Sequence, residues 1–164
     1  MKHPIGQSRN GHAVYVNLIK SGAATHISQQ PHLVGFAAEV LQKTTLQGAE
    51  VTLEYDMKRA VGYDFVVSTN EKDTIVYAQT VRDTVYTRFV KNGKPVPAQH
   101  VVLMLRLDDD GEYELLDTWI GRLNPPRPGS ENETTESKAY WAEHAFVLDS
   151  QPIQLRTVTR VCPY

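Results

Sequence analysis

His100-Val101-Val102-Leu103-Met104-Leu105-Arg106-Leu107, then Asp108-Asp109-Asp110-Gly111, then Glu112-Tyr113-Glu114-Leu115-Leu116-Asp117-Thr118-Trp119-Ile120-Gly121 is the stretch that decides the fold. Two apolar-rich runs are joined by four residues ending in Asp-Gly, a dipeptide suited to tight reversals because glycine takes positive φ without steric cost. The pattern predicts an antiparallel hairpin. Its acidic run lacks the spaced oxygen ligands of a calcium loop, so those carboxylates are read as turn residues.

Strand signals continue upstream. Glu50–Tyr55 alternates, with Val51, Leu53 and Tyr55 on one face. Asp64–Thr69 and Thr74–Gln79 flank the polar Asn70-Glu71-Lys72-Asp73, which predicts a second hairpin. Thr84–Val90 runs to the turn dipeptide Asn92-Gly93, and Pro95 and Pro97 bar a central strand there because proline donates no ladder hydrogen bond. Before these strands, Leu33, Val34, Ala37, Ala38, Leu41 and Thr45 recur at helical spacing behind Pro31 and ahead of Gly48, predicting a helix over 31–45. Residues 1–30 are expected to be irregular, apart from a short strand at Ala13–Leu18 and a Gly/Ser/Gln-rich loop after it.

Downstream, three prolines make Asn124–Gly129 a loop. Ser130-Glu131-Asn132-Glu133 has capping-box spacing before an expected helix over Thr134–Ala145, and Ile153–Val161 reads as a strand. The expected architecture is α+β within one domain over 1–164: an N-terminal helix, a mostly antiparallel sheet of hairpins, a C-terminal helix and a closing strand.

Composition narrows the function classes. The chain has 164 residues and 41% hydrophobic content, enough for a real core. No apolar run approaches the roughly 20 residues that span a bilayer, and the start Met1-Lys2-His3-Pro4-Ile5-Gly6 has no signal-peptide core. One cysteine, Cys162, excludes an internal disulfide and a cysteine-only metal site. A cytoplasmic protein without a membrane partner is therefore expected. The net charge of -2 argues against a general nucleic-acid binder. It is unevenly spread, however: Arg82, Arg88, Lys91, Lys94 and Arg106 face only Asp83 across that stretch, leaving room for a local basic surface.

No phosphate-binding glycine loop, Gly-x-Ser-x-Gly elbow or His-Glu-x-x-His pair is present. The remaining side chains suit metal-free phosphoryl transfer on RNA. That reaction needs a base for the 2′-hydroxyl, an acid for the leaving oxygen and a cation for the phosphorane charge. His144 stands three residues after Trp141 and four after Tyr140, both helical-neighbour spacings, so it reads as an acid or base beside an aromatic platform. A buried helix end with His144 bonded to the backbone accounts for the same spacing. His32 follows Pro31 at a helix start, His26 lies in the unpatterned loop, and His100 opens a strand. The candidate cations are Arg59, Arg88, Lys91 and Arg122. Tyr86 and Thr87 are candidate phosphate donors, although alternation puts Tyr86 with Arg88 and Thr87 on the other face. Trp119 is the second candidate aromatic surface.

Three phrases carry a family resemblance: Tyr86-Thr87-Arg88-Phe89-Val90-Lys91-Asn92-Gly93-Lys94-Pro95-Val96-Pro97, Glu112–Gly121, and Tyr140-Trp141-Ala142-Glu143-His144-Ala145. Together, over roughly residues 50–150, they resemble an uncharacterised bacterial group. That group is similar to the metal-free ribonuclease toxin superfamily of barnase, EndoU, RelE and the tRNA-cleaving colicins. The resemblance implies a helix-then-antiparallel-sheet plan and RNA cleavage to a cyclic phosphate without a cofactor or metal, in a toxin or phage-defence setting. Carried over by position, it implies His144, Arg88 and Arg59 as catalytic; His32, from its place at the helix start, is the further catalytic candidate. Trp141, Tyr140, Lys91, Tyr86 and Trp119 are the expected substrate-binding residues. RNA and a cognate protein inhibitor are the expected partners. Two other readings stay open: a non-catalytic protein-binding or immunity-type domain using an aromatic patch, and an inactive relative that keeps the fold.

Overall fold

The computed structural model describes residues 2–19, 22–80, 83–148 and 155–164. In chain order the first elements are β1 (Lys2–Gln7), β2 (Ala13–Asn17), α1 (Gly22–Gln29), α2 (Leu33–Lys43), β3 (Glu50–Asp56), β4 (Gly62–Asp64) and β5 (Val66–Ser68). They are followed by β6 (Ile75–Thr80), β7 (Thr87–Val90), β8 (Val96–Ala98), β9 (His100–Leu107) and β10 (Tyr113–Ile120). The last are α3 (Ser137–Glu143), β11 (His144–Val147) and β12 (Leu155–Thr159). This is an α+β chain dominated by strands. Its contacts divide it into two compact units, residues 1–62 with 98–123 and residues 63–97 with 124–164. The sequence predicts one domain.

The first unit is a five-stranded sheet in the order β1-β2-β10-β9-β3, with α1 and α2 packed on it. β9 and β10 form the hairpin that the Asp-Gly turn predicts, in register from Tyr113↔Leu107 to Ile120↔Val101 with a bulge between Leu115 and Asp117. Gly111 sits at φ 81°, and the Asp108 carboxylate accepts the N–H groups of Asp110 and Glu112. Asp108 is thus held below the usual carboxylate range, because those two donors and the Tyr15 hydroxyl outweigh its partial burial. α2 buries Leu33, Ala37, Val40 and Leu41, the i, i+4, i+7, i+8 stripe of an amphipathic helix. Of these, Ala37, Val40 and Leu41 meet Val14, Val16, Val101, Leu103, Leu105, Tyr113 and Leu115 from the sheet. Each fully buried valine or leucine here contributes about 1.5–3 kcal/mol.

One expectation for this unit needs correction. Residues 1–30 are not irregular: they form β1, β2 and α1. Gly22, Thr25 and Ser28 are poor helix formers, so α1 has little local signal. Instead Ala23, fully buried, and Ile27, one turn on, pack into the common core and hold it. The sheet is mostly antiparallel, with β2 and β10 running parallel.

The second unit is a five-stranded sheet in the order β12-β6-β7-β11-β5, with α3 leading into β11. The expected hairpin over 64–79 is not formed. β5 pairs with β11 at one edge, while β6 lies between β7 and β12. Asn70–Asp73 does turn the chain, through Asp73 N–H to the Asn70 carbonyl and side-chain bonds from Asn70 and Asp73. It separates strands instead of joining a pair. A turn signal reports local reversal, and the pairing partner is chosen by burial elsewhere.

α3 is also shorter than expected. Its capping-box candidates serve a turn, with Glu133 accepting the Gly129 N–H, and the Thr134 N–H is bonded by Ser137 Oγ instead. His144 takes extended backbone angles (φ -128°, ψ 152°) and opens β11, where Ala145 and Val147 are fully buried. A central parallel partnership of β11 with β7 thus overrides helix continuation. β4 and β8 pair with each other as a two-stranded sheet. Arg82 and the front of the expected last strand, Ile153 and Gln154, lie outside the described residues. No helix among the described residues is long and apolar enough to cross a membrane.

Candidate functional site

The second unit holds seven of the candidate site residues: His144, Arg88, Trp141, Tyr140, Lys91, Tyr86 and Thr87. His144 is half-buried at the junction of α3 and β11. Its Nδ1 lies 2.9 Å from the Tyr140 carbonyl oxygen. A carbonyl can only accept, so Nδ1 carries the proton and Nε2 bears the lone pair in the neutral ring. The imidazole stacks on the Tyr140 ring at 3.9 Å between centroids and 2° between planes. The helix-end bond to the backbone is therefore real, and it also orients the imidazole.

Arg88 on β7 comes to the same residue from the neighbouring strand. Its Nη1 donates to the His144 carbonyl oxygen at 3.0 Å and to Thr69 Oγ1 at 2.8 Å. Thr69 in turn donates to the Glu143 carbonyl. Among the described residues Arg88 has no carboxylate partner, and its buried Nε has no hydrogen-bond partner. A guanidinium so placed keeps its charge available to an anion.

Trp141 does not present an open aromatic face. Trp141 is 2% exposed, stacks on Phe146 at 5.3 Å, and donates its indole N–H to the Pro125 carbonyl at 2.9 Å. It is a core residue whose polar edge is satisfied, as buried tryptophans require. Tyr140 is half-buried, with one ring face given to His144 and its hydroxyl bonded to Asn124. Lys91 is exposed at the end of β7, and Tyr86 is half-buried just before it. Thr87 is buried, and its hydroxyl accepts from Arg127, which also binds Asp83. Thr87 is therefore spent on structure. Arg127 and Thr69 were missed, the first hidden inside a proline-rich loop and the second at a strand end with no pattern.

His32, Arg59 and Trp119 belong to the first unit. Arg59 makes a two-pronged pair with Glu39, at 2.9 and 3.1 Å, and lies 5.9 Å from the Phe36 ring centroid. This pairing holds Glu39 below the usual carboxylate range. The guanidinium is committed to a carboxylate, which weakens its case as a phosphate cation. His32 stands before α2, exposed, edge-on to the same Phe36 at 5.6 Å. Trp119 lies on β10 and donates to the Arg122 carbonyl, while Arg122 reaches Glu54 at 3.4 Å.

His26, expected in an unpatterned loop, is paired with a carboxylate. It sits on α1 with Nδ1 2.7 Å from Asp117 Oδ1. That bond raises its pKa against the opposing effect of burial, with further help from the Asp117 charge and the Thr118 backbone. The bond should stabilise the protein fully below the ordinary histidine value of 6.5, and its contribution should fade as pH rises from there through the higher folded-state value. Urea melts across about pH 5–8 should therefore show this slope, and His26→Gln should flatten it. An unchanged slope in the variant would remove His26 as the source.

Among the described residues no group of three or more His, Cys, Asp or Glu side chains is arranged to hold a metal ion. No family model, curated protein or solved structure matches the chain.

Proposed function

We propose that this protein is a metal-independent endoribonuclease whose centre is His144 with Arg88. The observation that carries the reading is the bond from the Arg88 guanidinium to the His144 carbonyl, beside an imidazole whose Nδ1 is already fixed. Nε2 is then the atom that takes the 2′-hydroxyl proton or returns one to the leaving oxygen. Arg88 supplies charge for the phosphorane, and the exposed Lys91 draws the RNA backbone toward β7. Trp141 has no substrate contact in this scheme. Tyr140 acts by holding the imidazole, so it is a positioning residue. A toxin or phage-defence setting, with a protein inhibitor, would follow from an activity that damages the host's own RNA.

The test is cleavage of a defined RNA, with products examined for a 2′,3′-cyclic phosphate. Activity should survive chelation, because histidine and arginine carry the chemistry. Arg88→Ala should lower cleavage and reduce the salt slope of RNA binding by about one released counterion. Activity removed by EDTA and restored by a divalent ion would overturn the mechanism. RNA binding that is negligible at low salt would overturn the assignment.

A protein-binding or immunity-type domain is the second reading, favoured by one observation. β12 forms an edge of its sheet, with Val158 55% exposed on it and Val161 75% exposed just beyond. An open edge of this kind offers backbone pairing to another chain.

A further inference from the structure

The segment after β12 returns to the same sheet that carries Arg88. Arg160, Val161, Cys162 and Pro163 are all exposed, and Tyr164 is the one half-buried side chain among them. Its ring lies edge-on to Tyr77 at 5.8 Å between centroids and 88° between planes. Tyr77 on β6 is the direct cross-strand partner of Arg88 on β7, and Thr159 on β12 pairs with Tyr77 from the other side. Residues directly opposite across a ladder share a face, so Tyr164 rests on the face to which Arg88 belongs.

This covering is poorly satisfied. Among the described residues, the Tyr164 hydroxyl is buried without a hydrogen-bond partner, and so is Arg88 Nε. Burial pushes the Tyr164 phenol up to about 12, and the nearby Arg88 charge pulls the other way. Two buried donors lacking acceptors are costly, because each has lost water without a replacement. The rest of the segment adds little to hold it down. Apart from the Tyr164 ring, its described bonds are Val161 N–H to Thr159 Oγ1 and Cys162 Sγ to the Tyr164 carbonyl, both exposed. A strap fixed by one side chain opens at low cost.

We propose that Arg160–Tyr164 is a displaceable cover over an oxyanion site whose cation is Arg88, and that a phosphate group binds Arg88 by taking the place of Tyr164. Opening returns the phenol to water, and the phosphate oxygens give Arg88 Nε its missing acceptor. The geometry of the guanidinium suits this, since Nη1 is already occupied by Thr69 and His144 while Nε is not. The inference shares Arg88 with the nuclease reading, and it makes the substrate's own phosphate the key that uncovers the site.

Inorganic phosphate is the probe, titrated against chloride at matched ionic strength while the Arg88 Nε–H signal is followed by NMR. Two substitutions must move affinity in opposite directions. Tyr164→Ala removes the cover and should tighten phosphate binding. Tyr164→Phe keeps the ring but deletes the unsatisfied hydroxyl, so the cover closes better and binding should weaken by about tenfold. Weakening in both variants would make the hydroxyl a ligand for phosphate and overturn the cover. So would no change in either, or a phosphate response no larger than that to chloride. Thermal melts serve as the folding control, with Tyr164→Phe expected to melt no lower than the parent. RNA is absent from this experiment, so the two readings fail separately. Opposed Ala and Phe effects in a protein that never cleaves RNA keep the cover and discard the nuclease. Chelator-resistant cleavage with no phosphate effect does the reverse.

Discussion

Replacing His144 with alanine is expected to reduce RNA cleavage by about 10²–10⁴-fold, the range that a positioned acid or base contributes. Part of any loss could come from the fold, since Nδ1 bonds the Tyr140 carbonyl and the ring stacks on Tyr140. His144→Asn separates the two effects. Its amide nitrogen can take the place of Nδ1 and keep the backbone bond, but nothing replaces the titratable Nε2. The asparagine variant should therefore melt within a few degrees of the parent and cleave as poorly as the alanine variant. Cleavage retained in His144→Asn would show that the ring is a structural clip and would end its catalytic role.

Trp141→Ala should produce the largest loss of stability among single changes in the second unit, about 3–5 kcal/mol by urea denaturation. The indole is 2% exposed, stacked on Phe146, and its N–H satisfies the Pro125 carbonyl. Truncation opens a cavity and leaves that carbonyl without its donor. Trp141→Phe refills most of the volume and should recover part of the loss. If Trp141→Ala instead leaves stability nearly unchanged while weakening RNA binding, Trp141 is a substrate platform after all. Its burial would then have misidentified its role.

Reading burial from spacing was the weak step for this residue. Tyr140 and His144 do meet at their spacing of four, although His144 has already left the helix, while the Trp141 ring lies against Tyr140 and Phe146. Spacing cannot say whether the shared face points to solvent or to a sheet. Here the chain turns into β11 at His144, and Phe146 on that strand comes back against Trp141. The surroundings of Arg59 were hidden for a similar reason. A loop arginine between strand patterns is visible in sequence, but its partner Glu39 is twenty residues away on α2. The strand of Arg88 is legible in the sequence, whereas its bond to the His144 carbonyl is seen only in the structure. Tyr164 gave no signal, as its meaning depends on Tyr77 and Arg88 lying side by side on paired strands.

By itself the sequence determined those features whose causes are local. The β9–β10 hairpin follows from Asp108-Asp109-Asp110-Gly111, because the turn needs a residue at positive φ and Gly111 sits at 81°. α2 follows from its own stripe of Leu33, Ala37, Val40 and Leu41. Tertiary structure alone decided what depends on distant partners. It set which strands pair, as when β6 chose β7 and β12 over β5. It made a helix of Gly22–Gln29, a segment with weak propensity, and coupled His26 to Asp117 across ninety-one residues of chain. It also brought Arg88 to His144, fifty-six residues apart. Turns and amphipathic stripes act within a few residues, whereas burial and hydrogen-bond satisfaction are settled only when the whole chain has closed around them.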